Sequence, residues 1–315
     1  MMSDRELGWM IGAVIGVLVI ASIVTWMLSQ RLTEERHRDL IGNLVARVKA
    51  WWGMILIFGA SVLTGGTGTV ILFCVLSFFA LREFVTLSPT TRGDHRVLIW
   101  MFYIITPLQY YFIWDQWYGM YTILIPVYAF LLLPARSALV GETEHFLQRT
   151  AITQWALMIC VYCLSMAPAI LTLNVEGDTA GPAKLLLFLV IVVQGSDVLQ
   201  YTWGKLLGRH KISPRVSPNK TWEGFIGGIA SATLIGTALW WATPFNPWQA
   251  ATMALIVCLM GFLGGLVMSS IKRDRGVKDF GHTIAGHGGI LDRVDSLIFA
   301  APIFFHLARY YFDLA

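Results

Sequence analysis

Asp292 and Asp295 stand three residues apart in "GGILDRVDS", so a helix beginning there carries both carboxylates on one face, close enough to share a divalent cation. Uncompensated, the two would repel each other. Just upstream, Gly286, Gly288 and Gly289 surround His287 and remove the side chains that would keep backbone N–H groups away from phosphate oxygens. Lys272, Arg273 and Lys278 add positive charge. Glycine plus lysine alone says little, because topology demands a positive loop on one side of a membrane in any case. Carboxylate pair, glycine turn and cations together point to metal-assisted chemistry on a polyphosphate.

A second polar stretch, "GSDVLQYTWGKLLGRHKISPRVSPNKTWEG", covers residues 195–224. Asp197 precedes the end of an apolar segment, where a carboxylate is costly unless paired, hydrated or bound to a cation. It is either a bundle-interior acid with a lysine partner or a functional group. Tyr201 and Lys205 follow at i+4 and i+8, on the same helix face. In "SPNKT" a Pro-fixed turn, the hydroxyls of Ser217 and Thr221, and Lys220 come directly before the next apolar segment. Backbone amides at that helix start, with a lysine beside them, would make an anion site; the plainer alternative is an N-cap by Thr221 or Asn219 on the helix containing Glu223. The chain has no GxxxxGK loop ending in Ser or Thr, no GxSxG elbow and no HExxH pair, which argues against hydrolysis through a nucleophilic serine.

The elements that must hold these residues are set by composition. Of 315 residues 56% are hydrophobic and only 13% charged, too apolar for one soluble core. The expected fold is an all-α integral membrane bundle of about ten spans, at residues 7–28, 51–64, 69–87, 97–113, 117–134, 150–173, 183–203, 223–243, 248–271 and 295–313. Residues 1–50 read as an anchor span with a basic juxtamembrane segment, 51–182 as an N-terminal bundle and 183–315 as the catalytic region. The first apolar run follows an acidic "SDRE" start and is long, so it reads as a signal anchor rather than a cleaved signal peptide. Residues 30–50 carry apolar positions at Leu40, Ile41, Leu44, Val45 and Val48, a spacing for a helix lying on the inner leaflet, or else a solvated linker.

Twenty of the 23 lysines and arginines fall on alternate loops, while "TGGTGT", "DQWYG", "NVEGDTAGP" and "TPFNPW" have none. Both polar stretches are therefore expected on the cytoplasmic side and both termini outside. Topology accounts for the basic residues and the net charge is only +4, so nucleic acid is not an expected partner. All four cysteines lie in apolar runs, against a disulfide framework or a zinc site. No internal repeat of the kind that builds inverted-half transporters is visible.

Two motif blocks carry a resemblance. "SxIKRxxxxKDxGxxIxGHGGxLDRxDS", from Ser269 to Ser296, resembles the signature of phosphatidate cytidylyltransferase (CDP-diacylglycerol synthase), and "SDxxxYxxGKxxGRHKxSPxVSPxKTxEGFIGG" is similar to that family's upstream block. The match is firm over residues 195–300 and looser over the earlier spans; the extra first span and the "WWG" start of the second resemble bacterial CDP-diglyceride synthetase-like paralogues. The resemblance implies a helical membrane enzyme of the bacterial inner membrane that joins CTP and phosphatidate to give CDP-diacylglycerol and pyrophosphate. It further implies magnesium, with the identity of any second cation open, and a homodimer in at least one bacterial type. By that resemblance Asp292 and Asp295 bind metal, and Lys272, Arg273, Lys278, Asp279 and His287 line the nucleotide and phosphate pocket. Gly288, Gly289, Arg293 and Ser269 fall within the same signature, and Asp197, Tyr201, Lys205, Ser217, Lys220 and Thr221 within the upstream block.

Two positions depart from the pattern. Gly265 stands where the family places a metal-binding aspartate, and Ala285 where it places proline. Losing a carboxylate removes a hard oxygen ligand and negative charge. An engineered inactive variant, a degenerate paralogue, and an enzyme in which water or Asp197 fills the gap all fit the sequence. So do a CTP-dependent transferase or kinase acting on another lipid acceptor, and a lipid-binding or transport paralogue without catalysis.

Overall fold

The computed structural model describes residues 2–31, 35–175, 178, 180–284 and 288–312. Ten long helical runs account for nearly all of it: α1 (Met2–Arg31), α2 (Glu35–Leu63), α3 (Gly66–Thr86), α4 (Arg92–Trp114), α5 (Tyr118–Ala138), α6 (Phe146–Thr172), α7 (Gly181–Leu206), α8 (Trp222–Ala238), α9 (Pro247–Asp274) and α10 (Leu291–Phe312). Eight are long and apolar enough to cross a membrane. The other two are α8, 17 residues long, and α10, whose first turns hold Asp292, Arg293 and Asp295. The chain is an all-α, multi-pass membrane protein; helices suit that setting because each satisfies its own backbone polar groups.

Two local expectations change. The juxtamembrane segment is helical, but from Glu35 it runs without a break into the second span as one helix of 29 residues. No proline interrupts that junction, and Gly53 is carried within the helix; the Trp52 indole N–H donates to Ser22 Oγ across 3.0 Å and ties α2 to α1. The "SPNKT" segment is not a turn but strand β2 (Ser217–Thr221), antiparallel to β1 (Lys211–Ser213). Thr221 then ends the strand and caps α8, its hydroxyl accepting from Gly224 N at 3.2 Å. The capping alternative holds, and Asn219 lies back in the strand.

Helices α4, α5 and α6 each contain one wider turn, at Met101–Ile105, Leu124–Ala129 and Met158–Cys163. Two of these lie at or beside prolines, Pro107 and Pro126, which cannot donate a backbone N–H, so the ladder loosens by one residue there. Helices α7, α8, α9 and α10 pack in succession, and α10 also lies against α6 and α3. At the α7–α8 crossing glycine is obligatory: a Cβ on Gly228 would fall 2.5 Å from Gln200 N, and one on Gly224 2.7 Å from Gln200 O. Removing those side chains lets the backbones meet, as small residues do between helices in lipid. Gly264 does the same for α9 on α10, where a Cβ would sit 2.7 Å from Asp295 O.

Candidate active site

These crossings bring the ends of α7, α9 and α10 and strand β2 together, and with them a row of alternating charge. At one end, Asp292 in the first turn of α10 pairs with Lys272 in the last turn of α9, 2.7 Å apart, with Asp292 buried. Lys272 also lies close enough to Asp295 to act on it electrostatically. Lys220, from β2, acts on both Asp295 and Asp197, and Asp197 on α7 closes the row beside Ser296. Burial pulls the Lys220 ammonium below the ordinary lysine range, while Asp197 and Asp295 draw it back up. Its Nζ rests 4.4 Å from the Phe262 ring centroid. The order is thus acid, base, acid, base, acid. Deleting one partner of a buried pair such as Lys272–Asp292 costs about 3–5 kcal/mol, because the other charge is left stranded.

Asp292 and Asp295 do share the start of one helix, but they do different work. Asp292 is fully engaged: Oδ1 faces Lys272, while Oδ2 accepts from Phe280 N at 2.8 Å and Gly289 N at 3.0 Å. Asp295 Oδ1 accepts from Ser296 N at 2.8 Å, and its Oδ2 looks toward Gly265. A Cβ on Gly265 would lie 3.9 Å from that oxygen, 3.7 Å from Ser296 Oγ and 3.0 Å from Lys220 Nζ. Gly264 is required by backbone packing, whereas Gly265 opens onto the charged row. Among the described residues, no group of three or more His, Cys, Asp or Glu side chains converges on one point.

One site residue escaped the sequence reading. Glu83, buried on α3, reaches the loop before α10: it accepts from Thr283 Oγ1 at 2.6 Å, Ile290 N at 3.0 Å and Leu291 N at 2.9 Å. Next to it, Phe84 stacks on Phe280 with ring centroids 6.3 Å apart. The signal was present, a lone carboxylate in the apolar run "SFFALREFVT", where an ionisable residue stands out as functional by default. With Asp292 on Gly289 N, carboxylates claim three successive amides, those of Gly289, Ile290 and Leu291. Those N–H groups are therefore not free for phosphate, contrary to the simplest reading of the glycine turn. Gly288 has φ +78, and its carbonyl accepts from Ile284 N at 2.9 Å. His287, with Gly286 and Ala285, lies outside the described residues.

The remaining expected site residues divide by what they touch. Arg293 is half-buried, acts on Asp197, and its Nε is buried without a hydrogen-bond partner among the described residues. Lys278 is exposed and Asp279 half-buried beside Gly288. Arg273 serves as a clamp, its guanidinium donating to the carbonyls of Val216 at 3.2 Å and Val277 at 3.0 Å. Ser269 donates within its own helix to Gly265 O, Ser217 pairs with Ser213 in the hairpin, and the Thr221 hydroxyl is occupied as a cap. Tyr201 and Lys205 are exposed and meet each other, ammonium 5.7 Å from ring centroid. Glu223 orders the turn before β1, accepting from the backbone N–H groups of Arg209 and His210 and meeting His210 Nδ1 at 2.6 Å.

This arrangement can neutralise a polyanion with Lys220, Lys272 and Arg293 while offering carboxylate oxygens from Asp197 and Asp295. The cytidylyltransferase family model matches residues 45–311. The uncharacterised protein YnbB of Escherichia coli (strain K12) is 37% identical over 301 residues, covering 93% of this chain and 95% of that protein. A phosphatidate cytidylyltransferase of Bacillus subtilis (strain 168) is 34% identical over 278 residues, covering 88% of this chain and 98% of the relative. One from Staphylococcus aureus (strain COL) is 44% identical over 120 residues, 38% of this chain and 46% of the relative.

Proposed function

The chain belongs to the cytidylyltransferase family, and on that premise we propose that it transfers the cytidylyl group of CTP to phosphatidate, giving CDP-diacylglycerol and pyrophosphate. It is a nucleotidyltransferase. The observation that carries the reading is the alternating row from Asp197 to Asp292, with the unsatisfied Arg293 Nε beside it. A phosphatidate phosphate is largely ionised at neutral pH, so no general base is needed. One of its oxygens attacks the α-phosphorus of CTP in line; a new P–O bond forms as the bond to the β-phosphate oxygen breaks, and pyrophosphate departs with the electron pair. Lys220, Lys272 and Arg293 balance charge on the triphosphate.

Magnesium fits this set. It is commonly held by one or two carboxylates plus substrate phosphates, and Asp197 with Asp295 supplies two such oxygens, while Asp292 is engaged by Lys272. When bound, the ion would offset negative charge on the triphosphate as a Lewis acid. The basic loops lie on the side of the row, which supports cytoplasmic access for CTP while the acyl chains stay in lipid.

The test is an assay of the purified chain with magnesium, phosphatidate and CTP labelled at either the α- or the γ-phosphate. Label from the α-position in lipid, with pyrophosphate released, is the expected result. Label from the γ-position would make the chain a CTP-dependent lipid kinase and overturn the proposal. Tight CTP binding with no lipid product would leave a non-catalytic paralogue.

A further inference from the structure

Resting on the transferase reading of the site, we infer that Glu83 is its positioning residue: from α3, in the other half of the chain, it fixes Thr283 and the start of α10 at Ile290 and Leu291. Three donors converge on its buried carboxylate, the Thr283 hydroxyl and the Ile290 amide on Oε1 and the Leu291 amide on Oε2. The fit is close. A Cβ on Gly281 would fall 2.7 Å from Glu83 Oε1, and one on Gly289 would come closer still to Oε2. These glycines therefore admit an internal carboxylate, a use separate from any approach of backbone to substrate. The two amides belong to the open start of α10, where partial positive charge favours an anion. Phe84 stacking on Phe280 adds an apolar contact beside the polar one.

Two carboxylates share the described residues on either side of positions 285–287. Asp292 holds Phe280 and Gly289 from within α10, and Glu83 holds Thr283, Ile290 and Leu291 from α3. Only when both hold does Asp292 stay on Lys272 and Asp295 stay facing Lys220. An uncharged amide cannot replace Glu83, because one of its two heads is a donor and would face an N–H. Glu83 touches no reacting atom in this scheme. It acts through the loop.

The experiment uses the full chain in lipid nanodiscs and reads two quantities on Glu83→Gln, Glu83→Asp and Thr283→Val. Without nucleotide, hydrogen exchange of the 289–291 amides should rise on order of tenfold or more in Glu83→Gln while exchange within α7 and α8 stays unchanged. With CTP and phosphatidate, kcat should fall at least about tenfold, the scale for losing a group that orients a site, with KM for phosphatidate little altered. Thr283→Val should show both effects in milder form, and Glu83→Asp should recover part of the loss. Unchanged exchange at 289–291, or faster exchange with wild-type turnover, would overturn the inference. A wild-type chain that makes no lipid product would sink the transferase reading alone, since the exchange contrast would still report whether Glu83 holds the loop.

Discussion

Gly265 is one of the two positions at which the sequence reading expects a departure from the family pattern. The space beside it is real: a Cβ meets nothing nearer than the flexible end of Lys220, whereas the neighbouring Gly264 is locked by the backbone of α10. Introducing a carboxylate in Gly265→Asp should therefore be tolerated by the fold. It should lower the magnesium concentration needed for half-maximal transfer, by about tenfold on the scale of ligand-shell changes, as a magnesium titration of initial rates would read. An unchanged titration would mean that Lys220 takes the new carboxylate as its own partner. The rare charges at Asp197, Lys220, Lys272, Asp292 and Asp295 were legible as a site because so little else in an apolar chain is charged. Their pairing was not. Lys272 and Asp292 are 20 residues apart, and Glu83 and Leu291 are 208 apart, so which base answers which acid depends on tertiary distances that local spacing does not carry.

Helices reach the site through glycine. Because Gly224 and Gly228 let α8 touch the backbone of α7 near Gln200, Asp197 is placed one turn from that contact. Gly228→Leu would push the helices apart and should cost about 1–3 kcal/mol by overpacking, read as a lower melting temperature in detergent. Transfer should fall with it, since Asp197 retreats from Lys220. A Gly228→Leu chain with unchanged melting and rate would refute the close crossing. Spans were readable from apolar length, which is why all ten have a helix at or near the expected place. The hairpin at Lys211–Thr221 was not, because Pro218 and Ser217 carry turn chemistry and only the partner strand turns them into an edge. The unbroken α2 was missed for a related reason: a change from polar to apolar composition looks like a boundary, but nothing in the backbone ends there.

At the scale of the whole molecule the charged row lies at one end of the bundle and a second ionic cluster at the other. Lys184, near the start of α7, is buried between Glu6 of α1 and Asp178, with Glu6 at 2.6 Å. By the basic-loop pattern the row is expected inside and this cluster outside. Cysteines introduced at Thr243 and at Ser213 should then respond oppositely to an impermeant thiol reagent added to intact cells: Thr243→Cys labelled, Ser213→Cys protected until the membrane is opened. The reverse pattern would invert the topology. Background should be low, as the four native cysteines lie within spans and two of them are buried. The orientation expected from Lys and Arg in the loops awaits that labelling; the attachment of α1 through Lys184 was not legible at all, since it joins residues 178 positions apart. The row itself has a further consequence. Lys272 already holds Asp292 at 2.7 Å, so a triphosphate that draws on this lysine must swap partners there, a phosphate oxygen displacing the internal carboxylate from its ammonium. Selectivity then lies in which guest makes that trade worthwhile, and a weaker anion would find the door already bolted.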